Sequence, residues 1–122
     1  MKASELIELA DELVENPFST TVKLHLVNEI ETRIRTQVLL QEPDDALKIT
    51  AETMSAVDLC QVGRDSLYLA WMKSMYYWHM GEYEAYQNEK EMFDTCWNEL
   101  LRDVCERDHA GSGGREEMET WP

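Results

Sequence analysis

Residues 65–104 read DSLYLAWMKSMYYWHMGEYEAYQNEKEMFDTCWNELLRDV and hold one strong helix breaker, Gly81. The residues on both sides of Gly81 favour helices, which we expect at about 66–80 and 82–107. Asp65 is a suitable N-cap because its carboxylate can accept a hydrogen bond from a free backbone N–H group. Gly81 can adopt the left-handed conformation that ends a helix without a Cβ clash. The stretch therefore predicts an antiparallel helical hairpin.

The alternative for this stretch is one continuous helix with a kink at Gly81. At ~1.5 Å of rise per residue, such a helix is on the order of 60 Å long. A compact domain of 122 residues has a radius of gyration of about 14 Å. The hairpin is favoured because it fits within those dimensions.

The two arms of the predicted hairpin differ in their hydrophobic pattern. Between Leu67 and Trp78, only Lys73 and Ser74 are clearly polar, so apolar side chains surround the helix axis. Such a helix is normally covered on all sides, which requires other helices or other subunits. The second arm is amphipathic, with one apolar stripe and one acidic face. The residues that we expect in the core or in a subunit interface are Leu67, Trp71, Met75, Tyr86, Phe93 and Trp97.

Two further helices are predicted before the hairpin, at residues 4–16 and about 20–40. The dipeptide Asn16-Pro17 ends the first, since a residue that precedes proline avoids the helical region. In the second, Glu29–Arg33 and Glu31–Arg35 have the spacing of ion pairs along a helix. The irregular segment 41–64, called the arm below, favours a short helix at 50–57 and an extended stretch at 58–63. Its apolar content indicates that it packs on this subunit or on a neighbour.

Length and composition predict one domain at residues 1–108 with an all-α fold, a small bundle of about four helices that ends in the hairpin. Residues 109–122 have the low hydrophobicity and high charge of a disordered acidic tail. The formal net charge of -14 opposes binding to a phosphate backbone or to an anionic membrane. Rows of charge on helices are usually solvated, but they can also face a partner or a channel. The candidate residues for such a face are Glu5, Glu8, Glu12, Glu15, Glu84, Glu91 and Asp94.

The sequence predicts no cofactor, no metal site and no catalytic set. A di-iron bundle needs two Glu-x-x-His pairs, and this chain has a single match at Glu106 and His109. The cysteines, Cys60, Cys96 and Cys105, lack zinc spacing, and their odd number favours a reducing compartment. No apolar run approaches the ~18–20 residues that span a bilayer, and the acids near the N-terminus argue against a secretory signal. We therefore expect a non-enzymatic protein.

Three motifs resemble those of small all-helical proteins from Gram-positive prophages, namely LYxxxxxxM at 67–75, GExxxYQNxxxxF at 81–93 and LVNEIExRI at 26–34. These proteins look like head–tail connector, or head-completion, proteins, and the resemblance covers most of residues 1–108. It implies a ring of identical subunits between portal and tail, with an electronegative lumen through which DNA passes. The implied partners are other copies of the chain and the portal and tail or neck proteins. The implied location is the host cytoplasm during assembly and then the virion.

An alternative of a different class fits the same acidity, namely a phage-encoded inhibitor that mimics DNA and binds a host nucleic-acid-binding protein. Its carboxylates should follow a phosphate path on a monomer or dimer, whereas a connector should form a large closed ring. The oligomeric state therefore separates the two hypotheses. Neither hypothesis includes tight nucleic-acid binding or membrane association.

Overall fold

A computed structural model describes residues 1–60 and 64–112 and, outside positions 45 and 107–112, their side chains. Its four α-helices are α1 (Ala3–Leu13), α2 (Thr20–Arg33), α3 (Asp65–Met80) and α4 (Tyr83–Ser112). A π-helical turn, Ile34–Val38, continues α2, and a 3-10 turn, Asp45–Leu47, lies in the arm. No strand occurs in the described ranges, so the predicted all-α bundle is confirmed.

The C-terminal hairpin forms as predicted. Gly81 has a φ of 79°, and the N–H group of Glu82 donates to the carbonyl of Tyr77 at 2.9 Å. This is the hydrogen bonding of a helix that ends in a left-handed residue. The start of α3 then lies beside the later part of α4, because the Cys96 thiol lies 3.7 Å from the Ser66 hydroxyl. The two helices are therefore antiparallel.

The start of α3 and the end of α1 differ from the prediction. The backbone of Arg64 is extended and that of Asp65 is helical, so Arg64 is the N-cap of α3 and the predicted Asp65 cap is wrong. α1 ends at Leu13 rather than at residue 16. There the Asn16 side chain donates to the carbonyl of Val14 at 3.0 Å, and such local bonds compete with helical ones.

The last helix is longer than predicted. α4 ends at Ser112, five residues beyond the expected end, so the first residues of the expected tail have helical backbone. The rest of that tail, residues 113–122, lies outside the described residues. Within the described parts of the chain, no helix is both long enough and apolar enough to cross a membrane.

The arm contains turns where a short helix was predicted. Residues 51–56 form consecutive turns, in which the carbonyl of Thr50 accepts the N–H group of Met54 at 2.9 Å. The predicted helix at 50–57 is therefore wrong, because these bonds close single turns and do not propagate. Residues 61–63 of the predicted extended stretch lie outside the described residues.

The described part of the arm packs on its own subunit. Ile49 and Leu59 are buried in the core. The N–H group of Leu59 donates to the carbonyl of Met1 at 3.0 Å, and Lys2 pairs with Asp58 in an isolated antiparallel bridge. The arm is therefore attached to the start of α1 at one end of the bundle.

α3 is the central helix of the bundle. It packs against α1, α2 and α4, and these helices bury most of its surface. The hydrophobic residues that they bury are Leu67, Tyr68, Ala70, Trp71, Met72 and Tyr76. The cover that its all-round apolar sequence requires comes mainly from helices of the same chain.

Candidate interaction surfaces

Every carboxylate of the predicted acidic faces is exposed. These groups are Glu5, Glu8 and Glu12 on α1, Glu15 just beyond its end, and Glu84, Glu91 and Asp94 on α4. Two of them have partners within the chain, since Glu5 accepts the backbone N–H group of Lys2 at 3.0 Å and Asp94 pairs with Lys90 at 2.9 Å. Both helices pack on α3, so the molecule presents two separate faces, called the α1 acidic face and the α4 acidic face.

Most of the described basic side chains are held by carboxylates of the same chain. The ion pairs are Lys2–Asp58, Lys23–Asp11, Arg35–Glu31, Arg64–Asp103, Lys73–Glu89 and Lys90–Asp94. The pairs other than Arg35–Glu31, whose carboxylate is buried, contribute only about 0–1 kcal/mol each to stability. Their effect on the surface is larger, because these bases are not free to neutralise phosphates or the exposed glutamates.

The six residues predicted for the core or an interface occupy two environments. Leu67, Trp71 and Phe93 are buried, whereas Met75, Tyr86 and Trp97 are half-buried. The Trp71 indole N–H donates to the carbonyl of Leu26 at 3.0 Å, and its ring lies 5.4 Å from that of Phe93. Trp71 therefore connects α3 to both α2 and α4, while the half-buried residues border the surface.

Arg33 lies against aromatic rings rather than against Glu29, one turn earlier. Its guanidinium carbon is 4.9 Å from the ring centroid of Trp97, 5.5 Å from that of Phe93 and 5.6 Å from that of Trp71. Ring faces attract cations, which explains why the predicted Glu29–Arg33 ion pair is wrong. Among the described side chains, no basic group lies within 4.0 Å of the Glu29 carboxylate.

Glu31 is a buried carboxylate that the sequence reasoning missed. It is only 1% exposed and accepts hydrogen bonds from the Tyr68 hydroxyl and, at 3.1 Å, from the backbone N–H group of Cys60. The guanidinium of Arg35 lies 3.5 Å away, so the predicted Glu31–Arg35 pair is present. Position 31 follows Val27 at helical spacing on the apolar side of α2, and this was the available signal for its burial.

The surroundings of Glu31 suppress ionisation of two neighbouring groups. Burial, together with the negative charge of Glu31, raises the pKa of the Cys60 thiol to about 11. The same two causes raise the pKa of Tyr68 far above its usual value. Because thiolates are the reactive form of cysteine, the raised pKa keeps Cys60 in the less reactive thiol form at neutral pH.

Asp11 is the centre of a second polar cluster, which joins three helices or their connections. Its carboxylate accepts hydrogen bonds from Lys23 at 2.8 Å, Asn16 at 3.0 Å and the Tyr76 hydroxyl at 3.1 Å. Burial alone would raise the pKa of Asp11, but these hydrogen bonds outweigh burial and lower it. The cluster therefore fixes α1 against α2 and α3.

A groove of about 340 Å³, called the hairpin groove, lies between α2 and the turn end of the hairpin. Its lining residues are His25, Leu26, Glu29, Met75, Trp78, His79 and Tyr86. The Trp78 ring lies 5.0 Å from the Tyr86 ring and 5.1 Å from the Tyr83 ring. Trp78 nevertheless remains 48% exposed and Tyr83 56% exposed. The groove is therefore bordered by a cluster of exposed aromatic rings that are held by one another.

A second cavity, of about 410 Å³, lies between α2 and the arm. The arm contributes Pro43, Asp44, Leu47 and Lys48 to its lining. Asn28 of α2 also lines this cavity and forms two hydrogen bonds with the backbone of Ile49, at 2.8 and 2.9 Å. The side chains around the cavity carry charges of both signs, which does not select a ligand class.

The described residues hold no group of three or more His, Cys, Asp or Glu side chains that could bind a metal ion. No family model, no curated protein and no solved structure matches the chain. The surfaces that bear on function are the two acidic faces and the hairpin groove.

Proposed function

We propose that this protein is a non-enzymatic structural component of a phage particle that resembles a head–tail connector and forms a ring for DNA passage. The observation that carries the proposal is the surface charge, with two exposed acidic faces and most of the described basic groups engaged within the chain. A channel over which DNA slides must repel phosphates, and free carboxylates do so. We assign the α1 acidic face to the lumen, because Asp94 of the α4 acidic face is already paired with Lys90.

A ring needs a contact between unlike faces of neighbouring subunits. The apolar surface of α3 does not provide it, because the helices of the same chain cover most of that surface. Large apolar side chains are still exposed at Leu47 in the arm, at Leu40 just before it and at Met92 on α4. We propose that the arm of one subunit meets α4 of the next around Met92, which leaves the hairpin groove open.

The DNA-mimic alternative uses the same exposed carboxylates. It differs from the connector in what the acidic faces do, because a mimic covers them with a basic partner whereas a connector leaves them open to the channel. The two hypotheses therefore make opposite predictions for removal of the α1 acidic face.

The test mixes the purified chain with portal assemblies encoded by the same prophage and images the mixture by electron microscopy. The connector proposal expects a ring on the portal, both for the native chain and for the Glu8→Gln, Glu12→Gln, Glu15→Gln variant. Failure to bind portal, tail and capsid proteins, combined with tight binding to a host DNA-processing enzyme that this variant loses, would overturn the connector and favour the mimic.

A further inference from the structure

We infer that the hairpin groove binds an arginine side chain of a protein partner. The groove combines a carboxylate, aromatic rings and an apolar floor, and these are the groups that a guanidinium on an aliphatic stem contacts best. The inference does not depend on the connector proposal, because it holds for a virion protein or a host protein alike.

The carboxylate of the groove is that of Glu29. It is exposed and lines the groove, and Arg33, the residue with the right spacing to pair with it, instead contacts Trp97, Phe93 and Trp71. No other basic side chain among the described residues takes that place. Glu29 is therefore free to accept the paired N–H donors of an incoming guanidinium.

The rest of the lining suits the body of an arginine. Trp78 and Tyr86 contribute aromatic rings to the lining, and such rings attract cations. Leu26 and Met75 supply apolar contacts for the aliphatic stem. The volume of about 340 Å³ is near the small end of the range for ligand pockets, about 300–1,000 Å³. That size fits one long side chain better than a folded segment.

The aromatic border has the features of an interface anchor. Trp78 is 48% exposed but is held by the rings of Tyr83 and Tyr86, so little side-chain freedom is lost when a partner covers it. Glu82 and Glu84, the sequence neighbours of Tyr83, are also exposed, so the turn end of the hairpin is acidic. Binding energy at interfaces concentrates on such aromatic residues, and the acidic surroundings favour a basic partner.

The arginine comes from a different protein rather than from a second copy of the chain. Three of the described arginines are engaged within the chain, since Arg35 pairs with Glu31, Arg64 pairs with Glu99 and Asp103, and Arg33 covers aromatic rings. Arg102 is exposed on α4, but it belongs to a chain whose formal net charge of -14 opposes docking on an acidic groove. A partner with a basic surface meets no such opposition.

The test titrates N-acetyl-arginine-N-methylamide into the isotopically labelled full chain and follows NMR chemical shifts. We expect saturable shifts at the Trp78 indole N–H and the Glu29 amide, with weaker binding of the matched lysine derivative and none of the leucine derivative. Shifts that do not saturate, or that spread over the acidic faces without reaching the groove, would overturn the inference.

Two matched variants separate the groove from general attraction to an acidic protein. Glu29→Gln, an isosteric change at an exposed site, should weaken arginine binding by about fivefold, as for an exposed charge pair. Glu8→Gln removes the same charge from the α1 acidic face and should leave binding unchanged. If the two variants weaken arginine binding equally, the hairpin groove is not the binding site. Self-association of the native chain that Glu29→Gln abolishes would identify a second copy as the occupant and contradict the choice of partner.

Discussion

At the residue scale, Glu31 combines a high energetic penalty with a structural role. Taking a carboxylate out of water is unfavourable by several kcal/mol unless hydrogen bonds and an opposite charge compensate for it. Here the Tyr68 hydroxyl, the Cys60 N–H group and Arg35 provide that compensation. Since these groups come from α3, the arm and α2, the buried carboxylate joins three parts of the chain.

We expect Tyr68→Phe to lower the free energy of unfolding by about 1.5–3 kcal/mol, the usual range for a hydrogen bond to a charged group. Tyr77→Phe is the matched control, because Tyr77 is a half-buried tyrosine of the same helix. Urea unfolding of both variants measures the difference. Equal stability of the two would show that Tyr68 does not support the buried carboxylate.

The burial of the predicted core residue Phe93 can be tested by comparing its alanine variant with that of its exposed neighbour, Met92. Phe93 is 5% exposed and packs on Trp71, whereas Met92 is 54% exposed. Phe93→Ala should therefore cost about 3–5 kcal/mol, as for buried aromatic residues, while Met92→Ala should change stability by less than about 0.5 kcal/mol. Thermal melting of the two variants distinguishes them. If Phe93→Ala melts at the temperature of the native chain, Phe93 is not a core residue.

At the scale of elements, the attachment of the arm depends on Asn28. Its side chain donates to the Ile49 carbonyl and accepts the Ile49 N–H group, so one residue of α2 satisfies both backbone groups of a buried arm residue. Asn28→Ala should speed hydrogen exchange at the Ile49 amide and leave exchange in α3 unchanged. Asn98→Ala, at an exposed asparagine of α4, is the control. Unchanged hydrogen exchange at the Ile49 amide in Asn28→Ala would show that Asn28 does not hold the arm on α2.

The Asp11 cluster connects α1 to α2 and α3 and makes stability depend on pH. Because the pKa of Asp11 is lowered in the folded state from 3.8, its contribution is fully present above that value and is lost as the pH falls through the folded pKa. Asp11→Asn should therefore destabilise the protein at pH 7. The difference in the free energy of unfolding between the native chain and this variant should become smaller at acidic pH. Glu12→Gln, at the exposed neighbour, should show neither effect in urea unfolding at the two pH values.

At the scale of the whole molecule, a formal net charge of -14 produces repulsion within the folded chain. Added salt screens charges at the surface, so the melting temperature should rise between low and physiological salt. The Glu8→Gln, Glu12→Gln, Glu15→Gln variant should melt higher at low salt and respond less to salt. A melting temperature that falls with salt would show that the ion pairs dominate over repulsion.

The helices and the hairpin could be predicted from the sequence because their causes are local. Gly81 is a residue whose backbone chemistry ends a helix, and the apolar pattern around it repeats at helical spacing. The missed details depend on contacts between distant residues. The Glu29–Arg33 pair was expected from spacing alone, but Arg33 had three aromatic rings within reach once α2 packed on the hairpin.

The sequence by itself determined the fold class, the strong negative charge and the exposure of the acidic helix faces, because patterning and composition act without reference to distant partners. Tertiary structure alone decided that helices of the same chain cover α3, that Glu31 is buried among three elements and that Glu29 is left free beside Trp78. The physical reason is that burial and pairing depend on which helix faces meet. Glu29 has no basic partner in the hairpin groove because Arg33 contacts aromatic rings of α3 and α4 instead.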